Sequence, residues 1–337
     1  MLCIQDGSDL NYTNLSKCSG PGELGSNQTG AKSRGLYLHS TLAVAPNGLP
    51  LGVVHAQCIA PQSKSEEEKR SAHVIPIEEK KTFVWLEHHR DLAALSARLP
   101  RTRLVHVCEP EADFFELLDE QRRNRCVELL VRARHNRNTS EEPFKLFETA
   151  RQAPVASRGQ INIPRQSARL KKSKQKARSA RPGRLADIAV RFLRIQLRPA
   201  HYLGDKEPID LWLVHAVEEN PPADTKAVEW FLLTIIVITS AANAEQCLRW
   251  YVLQWRIEDW HRVLKSGCRI EDLAHKTAER LRRVIAINLV IAWRIMLMTL
   301  LGREVPELPA EVLFSDIELR TLQAYAKKKY KTAHVTW

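Results

Sequence analysis

The sequence of 337 residues is poor in the features that mark a disulfide scaffold or a cysteine-ligated zinc site. Its seven cysteines are scattered, odd in number and include no CxxC pair. That pattern argues against a disulfide framework and favours a reducing compartment. The opening residues, MLCIQDGSDL, have neither a basic start nor an apolar stretch, so no secretory signal is visible. We expect a cytoplasmic protein.

The chain also lacks a long apolar run without interruption. Its most apolar stretch, residues 284–301, contains Asn288 and Arg294. An arginine at mid-bilayer costs several kcal/mol on most scales. We therefore expect a buried helix over this stretch and no membrane partner.

Positive charge, by contrast, is in excess. Lysine and arginine number 51 against 39 acidic residues, which gives a net charge of +12 and favours a polyanionic partner. Much of this excess lies in residues 165–184, which hold nine basic residues and no acidic one. Hydrophobic residues at 44% and charged residues at 27% are ordinary globular values and exclude a disordered chain.

The first third of the chain predicts strands followed by a mixed unit. Residues 2–5 read as a short strand that ends at Asp6, with Gly7 and Ser8 as turn residues. Two apolar runs flank Pro46-Asn47-Gly48 and predict a hairpin. Residues 82–100 predict a helix, and the strand, helix and strand of residues 103–134 predict a parallel βαβ unit.

The remainder predicts an insertion and a closing helix. Residues 136–227 read as a β-rich insertion with one strongly basic loop. Residues 228–239 form a continuous apolar run, which is typical of a strand buried on both faces. Residues 244–267 predict one helix of about six turns that ends at a Gly267 cap.

Together these elements predict an α/β protein with an RNase H-like core, meaning a mixed sheet flanked by helices, and a β-rich insertion before the last helix. We divide the chain into a first part of the core (1–135), the insertion (136–227), a second part of the core (228–302) and a C-terminal segment (303–337).

One helix face carries residues suited to chemistry. Tyr251, Glu258 and Lys265 are seven residues apart, so they share a face of the predicted helix at spacings of about 10 Å. A solvated face with a charge pair is the ordinary explanation. Acidic residues at the expected strand ends, Asp6 and Glu109, favour a catalytic site instead.

Residues 251–267, YVLQWRIEDWHRVLKSG, resemble the signature of bacterial insertion-sequence transposases with a Tyr-Arg-Glu-Lys motif, in the branch of the transposon-five transposase. Tyr251, Glu258 and Lys265 fall into register with that motif. CIQDGSDLNY and VCEPEADFFELL resemble the segments that carry the first two catalytic acids of the family. KSRGLYLHS, LLVRARH and VEWFLLT resemble its intervening strands, so the resemblance extends over nearly the whole chain in the right order.

The resemblance implies cut-and-paste DNA transposition by phosphoryl transfer that depends on Mg²⁺, or Mn²⁺ in its place. Asp6, Glu109 and Glu258 would be the catalytic carboxylates and metal ligands, since two hard cations need oxygen ligands from converging elements. The partner would be double-stranded DNA at transposon ends.

The same resemblance implies DNA contacts at further positions. Tyr251 and Lys265 would grip the phosphate beside the cleaved strand, Arg132 would contact the backbone, and Trp230 would stack on a displaced base. Gln254 and Arg262 would lie beside them. Trp230 as a core residue and Arg132 as a solvated strand residue stay open as alternatives. His88 and His89 lack an acidic or cysteine neighbour that would favour a metal site.

Three departures from the family pattern bear on activity. Glu109 stands where the family has Asp, and the extra methylene displaces the carboxylate by about 1.5 Å, beyond the roughly 0.5 Å that a catalytic site tolerates. Asp113 is considered as a substitute ligand. Gln254 stands where the motif has Arg and lacks both the charge and the planar fork that hold a phosphate. Arg256 lies about 200° around the helix and cannot replace it.

The third departure concerns the ends. Only five residues precede Asp6, and we expect the C-terminal segment to be the remnant of a dimerisation region that is cut short. The leading hypothesis is a truncated, substituted transposase with little activity. The alternative is a non-catalytic DNA-binding protein, or an inhibitor that forms homodimers or mixed dimers with an intact transposase. A general RNase H-like nuclease is a third hypothesis.

Overall fold

The protein is described from a computed structural model, which covers residues 1–26, 32–62, 75–140, 143–165, 180, 182–223 and 225–330. It is a mixed α/β protein in which helices flank a ten-stranded mixed sheet. The strands are β1 Leu2–Asn11, β2 Gly22–Ser26, β3 Lys32–Val44, β4 Pro50–Ile59, β5 Val105–Cys108, β6 Glu128–Arg132, β7 Ser157–Ile163, β8 Arg184–Leu197, β9 Ile209–Glu219 and β10 Glu229–Thr234. The helices are α1 Phe83–Arg98, α2 Phe115–Arg123, α3 Leu146–Gln152, α4 Ala241–Val252, α5 Trp255–Arg262, α6 Ala278–Glu304 and α7 Asp316–Tyr330.

The strand order is β2-β3-β1-β5-β6-β10-β9-β8-β7, with β4 also paired to β3. Only β1, β5 and β6 run parallel to one another, and the other neighbours are antiparallel. The predicted hairpin is confirmed as β3 and β4, whose turn includes Gly48 at a φ of 93°. The predicted βαβ unit is confirmed as β5, α2 and β6.

The predicted insertion is β-rich, as expected, but its strands do not form a separate sheet. β9 pairs with β10, and β10 pairs with β6, so β7, β8 and β9 extend the central sheet. Most of the basic segment, residues 166–179 and 181, lies outside the described residues. Residues 331–337 of the C-terminal segment also lie outside them.

The expectation that β1 ends at Asp6 is wrong. β3 pairs with β1 over its whole length from Leu2 to Asn11, whereas β5 pairs with β1 only from Leu2 to Gln5. The antiparallel neighbour therefore keeps Gly7 and Ser8 extended after the parallel neighbour has turned away. Asp6 lies at the point where the strand loses its second partner.

The single six-turn helix expected over residues 244–267 is also wrong. α4 ends at Val252 and α5 begins at Trp255, because the junction tightens into hydrogen bonds between residues three apart. The N–H of Gln254 donates to the Tyr251 carbonyl at 3.0 Å, and the Gln254 carbonyl accepts from Ile257 at 3.1 Å. A π-helical turn then follows over Val263–Gly267.

Gly267 does not provide the expected left-handed cap. It is the last residue of the π-helical turn, and the left-handed conformation falls two residues later on Arg269, with a φ of 51°.

The two faces of the sheet are covered by different helices. Side chains of α1, α2 and α3 form one core with β5, β6 and β9. Side chains of α4, α5 and α6 form the other, larger core with β1, β3 and β8. Burial of apolar surface on both faces is the main stabilising term of such a layered fold.

The expectation of a buried helix over residues 284–301 is wrong, because most of that stretch is exposed. α6 buries one stripe, which includes Ile285, Leu289 and Met296, against the sheet. Only 22% of its most apolar 18-residue window is buried, and the helix is long and apolar enough to cross a membrane by length and composition alone. Its opposite stripe exposes Ile287 and Val290. The sequence missed this because both stripes are apolar.

Candidate active site

A row of charged side chains crosses the centre of the sheet. The parallel pairings of β1, β5 and β6 end immediately before Asp6, Glu109 and Arg132, respectively. Residues in register on adjacent strands point to the same face, so these three side chains lie side by side. Ser40 of β3 is the antiparallel partner of Asp6 and continues the row. The carboxyl ends of parallel strands are where α/β sheets place ligands.

α5 brings a third carboxylate to this row. The helix packs on β1 and β3 and carries Glu258 on its exposed side. Burial raises the pKa of Asp6 well above its usual value, and the negative charges of Glu109 and Glu258 raise it further. The three carboxylates that the sequence analysis proposed for one site therefore influence one another electrostatically, while their shared role stays a prediction.

Burial and neighbouring negative charge also act on the carboxylate of Glu109. Burial and the charge of Glu258 raise its pKa to about 7, while the guanidinium of Arg132 acts in the opposite direction. Arg132, expected on the DNA backbone, thus stands next to a carboxylate inside the site. Its charge partly offsets the repulsion between the acids.

Glu111 is a fourth acid that the sequence analysis missed. It is exposed, and its negative charge raises the pKa values of Asp6, Glu109 and Tyr37. Its position two residues after Glu109, in a turn after the strand, was the available signal. Repulsion between carboxylates of this kind is relieved when a cation binds between them.

Asp113 is not available as a substitute ligand. Its side chain is fully buried and forms an ion pair with Arg137. It also accepts hydrogen bonds from the backbone N–H groups of Arg134 and His135, at 2.6 and 2.9 Å. These contacts fix the loop after β6, so the expectation that Asp113 replaces a missing carboxylate is wrong.

Tyr251 lies under the row with its side chain fully buried. Its hydroxyl lies beside the Arg132 guanidinium and the Gln254 amide, although neither contact meets strict hydrogen-bond geometry. Burial raises the pKa of Tyr251, and so does the charge of Glu109, which places the phenol near that carboxylate.

Trp230 is 6% exposed and forms edge contacts with Tyr251 and Trp255, with ring centroids 5.4 and 5.9 Å apart. This arrangement favours its alternative role as a core residue. A base could stack on Trp230 only after the cluster opened.

The remaining predicted contacts lie towards the end of α5. Lys265 is partly buried in the π-helical turn, and its charge lowers the pKa of His261. Arg262 is exposed and pairs with Asp259. Both residues follow Glu258 within two turns of the same helical segment.

His261 is a second residue that the sequence analysis missed. Its Nε2 lies 3.0 Å from the Ser40 hydroxyl, and its Nδ1 lies 3.6 Å from Oδ2 of Asp6. The other carboxylate oxygen of Asp6 accepts the N–H of Gly7 at 2.7 Å. The signal in the sequence was its position three residues after Glu258, on the same face of α5.

The donor types at this site fit a hard divalent cation. Asp6, Glu109 and Glu258 offer carboxylate oxygens, the ligands that Mg²⁺ and Mn²⁺ take, and they are the residues that would hold it. Within the described part of the chain, however, no three His, Cys, Asp or Glu side chains stand close enough to hold a metal ion. Binding therefore requires the carboxylates to move closer together.

No protein-family model matches this chain.

Proposed function

We propose that this protein is a transposase-like DNA-binding protein built on an RNase H-like phosphoryl-transfer core, with weakened catalytic power. The observation that carries the proposal is the row of Asp6 and Glu109 at the end of two parallel strands, with Glu258 facing it from α5. The order of three antiparallel strands, a helix and a βαβ unit supports an RNase H-like core.

Each polar group has a role in this proposal. Asp6, Glu109 and Glu258 hold divalent cations, which when bound activate a water or a 3′-hydroxyl and stabilise the leaving oxygen. The hydroxyl of Tyr251, which lies beside Arg132, would donate to a phosphate oxygen. Arg132 and Lys265 neutralise phosphate charge, and the net charge of +12 attracts the DNA duplex.

Two features of the site explain why we expect weak catalysis. A glutamate at position 109 extends the carboxylate by one methylene, and a misplacement of about 1 Å costs on the order of 100-fold in rate. Gln254 is buried beside Tyr251 and offers an amide where a guanidinium would hold the phosphate in two places.

The first test measures cation binding without catalysis. Mn²⁺ titration of the full chain, followed by the EPR signal of free Mn²⁺, should reveal binding that Asp6→Asn abolishes. Glu245→Gln is the matched control, since Glu245 pairs with Arg249 on α4 away from the row. Equal Mn²⁺ binding by the protein and by Asp6→Asn would contradict the assigned site.

The second test measures nicking of supercoiled DNA with Mg²⁺. We expect little nicking by the chain and an increase in the double variant Glu109→Asp with Gln254→Arg, which shortens one side chain and restores a phosphate fork. Addition of Glu258→Ala to that variant should remove the gain. Robust nicking by the unaltered chain would contradict the proposed weakening.

A non-catalytic DNA-binding protein or inhibitor is the second candidate, favoured by the lack of a closed metal-binding group among the described side chains. It predicts salt-dependent duplex binding that Glu258→Ala leaves unchanged. It also predicts no nicking after the two restoring substitutions. A mixed dimer with an intact transposase would then lower transposition by that enzyme.

A further inference from the structure

We infer that His261 is a positioning residue that orients the carboxylate of Asp6 for cation binding, with the Ser40 hydroxyl fixing the imidazole ring. The inference rests on the proposed function, because it assigns Asp6 as a ligand. The observation that supports it is that the buried imidazole of His261 lies against both Asp6 and Ser40, which are paired across β1 and β3. His261 reaches Ser40 with Nε2 at 3.0 Å and Asp6 with Nδ1 at 3.6 Å.

The hydrogen-bond chemistry selects one state of the ring. His261 is 6% exposed, and its two ring nitrogens face two polar side chains, Ser40 and Asp6. A neutral imidazole has one donor and one acceptor nitrogen. A carboxylate that holds a cation is ionised and only accepts, so in the cation-bound state Nδ1–H would face Asp6 and Nε2 would accept from the Ser40 hydroxyl. The partner of one nitrogen thus sets the role of the other.

The Asp6 carboxylate has one remaining freedom that His261 controls. Its Oδ1 accepts the Gly7 N–H at 2.7 Å. The carboxylate can therefore turn about its Cβ–Cγ bond only within the range that this hydrogen bond allows, and that turn moves Oδ2 relative to His261. The separation of 3.6 Å from Nδ1 is just beyond hydrogen-bond length, and a small rotation closes it. Hydrogen bonds in active sites often tighten in this way when the ligand arrives.

The same ring links two elements of the site. His261 lies on α5 one turn after Glu258, and Asp6 lies on β1. The neighbouring Trp260 is fully buried and donates its indole N–H to the Leu289 carbonyl at 3.2 Å, which anchors α5 to α6. His261 therefore sets the spacing between the helix carboxylate and the strand carboxylate. Partners that orient metal ligands in this way affect affinity strongly.

The test compares two substitutions that each keep half of the ring's contacts. An asparagine amide N–H stands near the position of Nδ1, so His261→Asn keeps a donor toward Asp6. A glutamine amide reaches the position of Nε2, so His261→Gln keeps only the Ser40 contact. We expect His261→Gln to weaken Mn²⁺ binding about 10- to 100-fold and His261→Asn to restore most of it. Thermal melting checks that each variant is folded.

Two further variants complete the design. Ser40→Ala removes only a hydroxyl and should give a smaller loss of Mn²⁺ affinity in the same direction, which keeps the test valid if the histidine variants fail to fold. His88→Gln removes an equally buried histidine of α1 that does not contact Asp6, and it should bind Mn²⁺ like the unaltered chain.

The outcomes separate this inference from the proposed function. Loss of Mn²⁺ binding in Asp6→Asn with unchanged binding in His261→Gln overturns the positioning role alone. Equal losses in His261→Asn, His261→Gln and His88→Gln overturn it as well, because they indicate a general structural effect. Unchanged binding in Asp6→Asn overturns the proposed site itself.

Discussion

The two faces of the central strands differ in the polar side chains that they carry: one face has buried neutral groups and the other has carboxylates. On the face covered by α1, Gln5 lies between His39 and His106, and a series of hydrogen bonds runs from His39 through Gln5 and His106 to His89. Burial lowers the pKa of His39 to about 3 and that of His89 to about 4, so the rings are neutral. The polar side chains on this face are therefore buried and uncharged.

On the face covered by α5, the polar side chains at the strand ends are acids. Asp6 directly follows Gln5 on β1, and Glu109 directly follows β5. Burial raises the pKa values of Asp6 and Glu109, and the charges of neighbouring carboxylates raise them further. The side chain of Asp6 remains 23% exposed. Groups of carboxylates that raise one another's pKa values are common at functional sites, so the difference between the faces supports the proposed site on the α5 face.

The largest expected effect is acid unfolding driven by the α1 face. The pKa values of His39 and His89 are lowered below the ordinary 6.5, so the unfolded chain binds more protons. Their contribution to stability is complete above about pH 6.5 and is lost as the pH falls towards about 4 and below. Each such histidine costs about 1.4 kcal/mol per pH unit in that window. Between pH 7.5 and pH 5.5 these two histidines should lower the free energy of urea unfolding by about 3 kcal/mol in total, before any opposing contribution of the acids.

Controls for this prediction use single histidines. His39→Gln should reduce the pH slope by about one proton, whereas His201→Asn, on an exposed turn, should leave it unchanged. The raised pKa of Glu109 works in the opposite direction, since its contribution to stability is present below about pH 4.5 and lost as the pH rises through about 7. An unfolding free energy that grows towards pH 5.5 would show that the acids outweigh the histidines.

The next effect concerns Gly7, which follows Asp6 on β1 and lies against the side chain of Tyr37. A Cβ added at Gly7 would lie 1.9 Å from the Tyr37 hydroxyl, which donates to or accepts from His39 at 3.3 Å. Gly7→Ala should therefore cost about 1–3 kcal/mol of unfolding free energy by overpacking. Gly159→Ala is the control, because nothing lies within 4 Å of the added Cβ. Equal stability of the two variants would mean that Tyr37 moves away freely.

The smallest effect tests the repulsion on the α5 face. Asp6→Asn keeps an oxygen for the Gly7 N–H and removes a carboxylate whose pKa is raised, so it should stabilise the protein at pH 8 by about 1 kcal/mol in the absence of divalent cations. Glu111→Gln, which removes an exposed neighbour, should give less. A lower melting temperature for Asp6→Asn would indicate that the carboxylate supports the fold.

The sequence predicted the elements better than their junctions. Alternating apolar residues and the Asn47-Gly48 pair located the hairpin, and apolar runs located β5, β6 and β10. The extension of β1 past Gly7 depends on pairing with β3, a contact between distant residues that local composition does not report. The break at Gln254 escaped notice because every residue there is compatible with a continuous helix.

The site was predicted in part for a similar reason. Asp6, Glu109 and Glu258 are chemically conspicuous, and the structure brings them to one end of the sheet. Arg132 was expected on DNA, yet its neighbour in the sheet is Glu109, which only the register of β5 and β6 reveals. His261 drew no attention because its partner Ser40 lies 221 residues away.

The central claim is that the row of carboxylates binds a divalent cation. Anomalous diffraction from crystals of the full chain soaked in Mn²⁺ tests it most directly. The account predicts a peak between Asp6 and Glu109, with Glu258 drawn towards it, and loss of that peak in Asp6→Asn crystals. Mn²⁺ bound elsewhere, with the row empty at the same concentration, would contradict it.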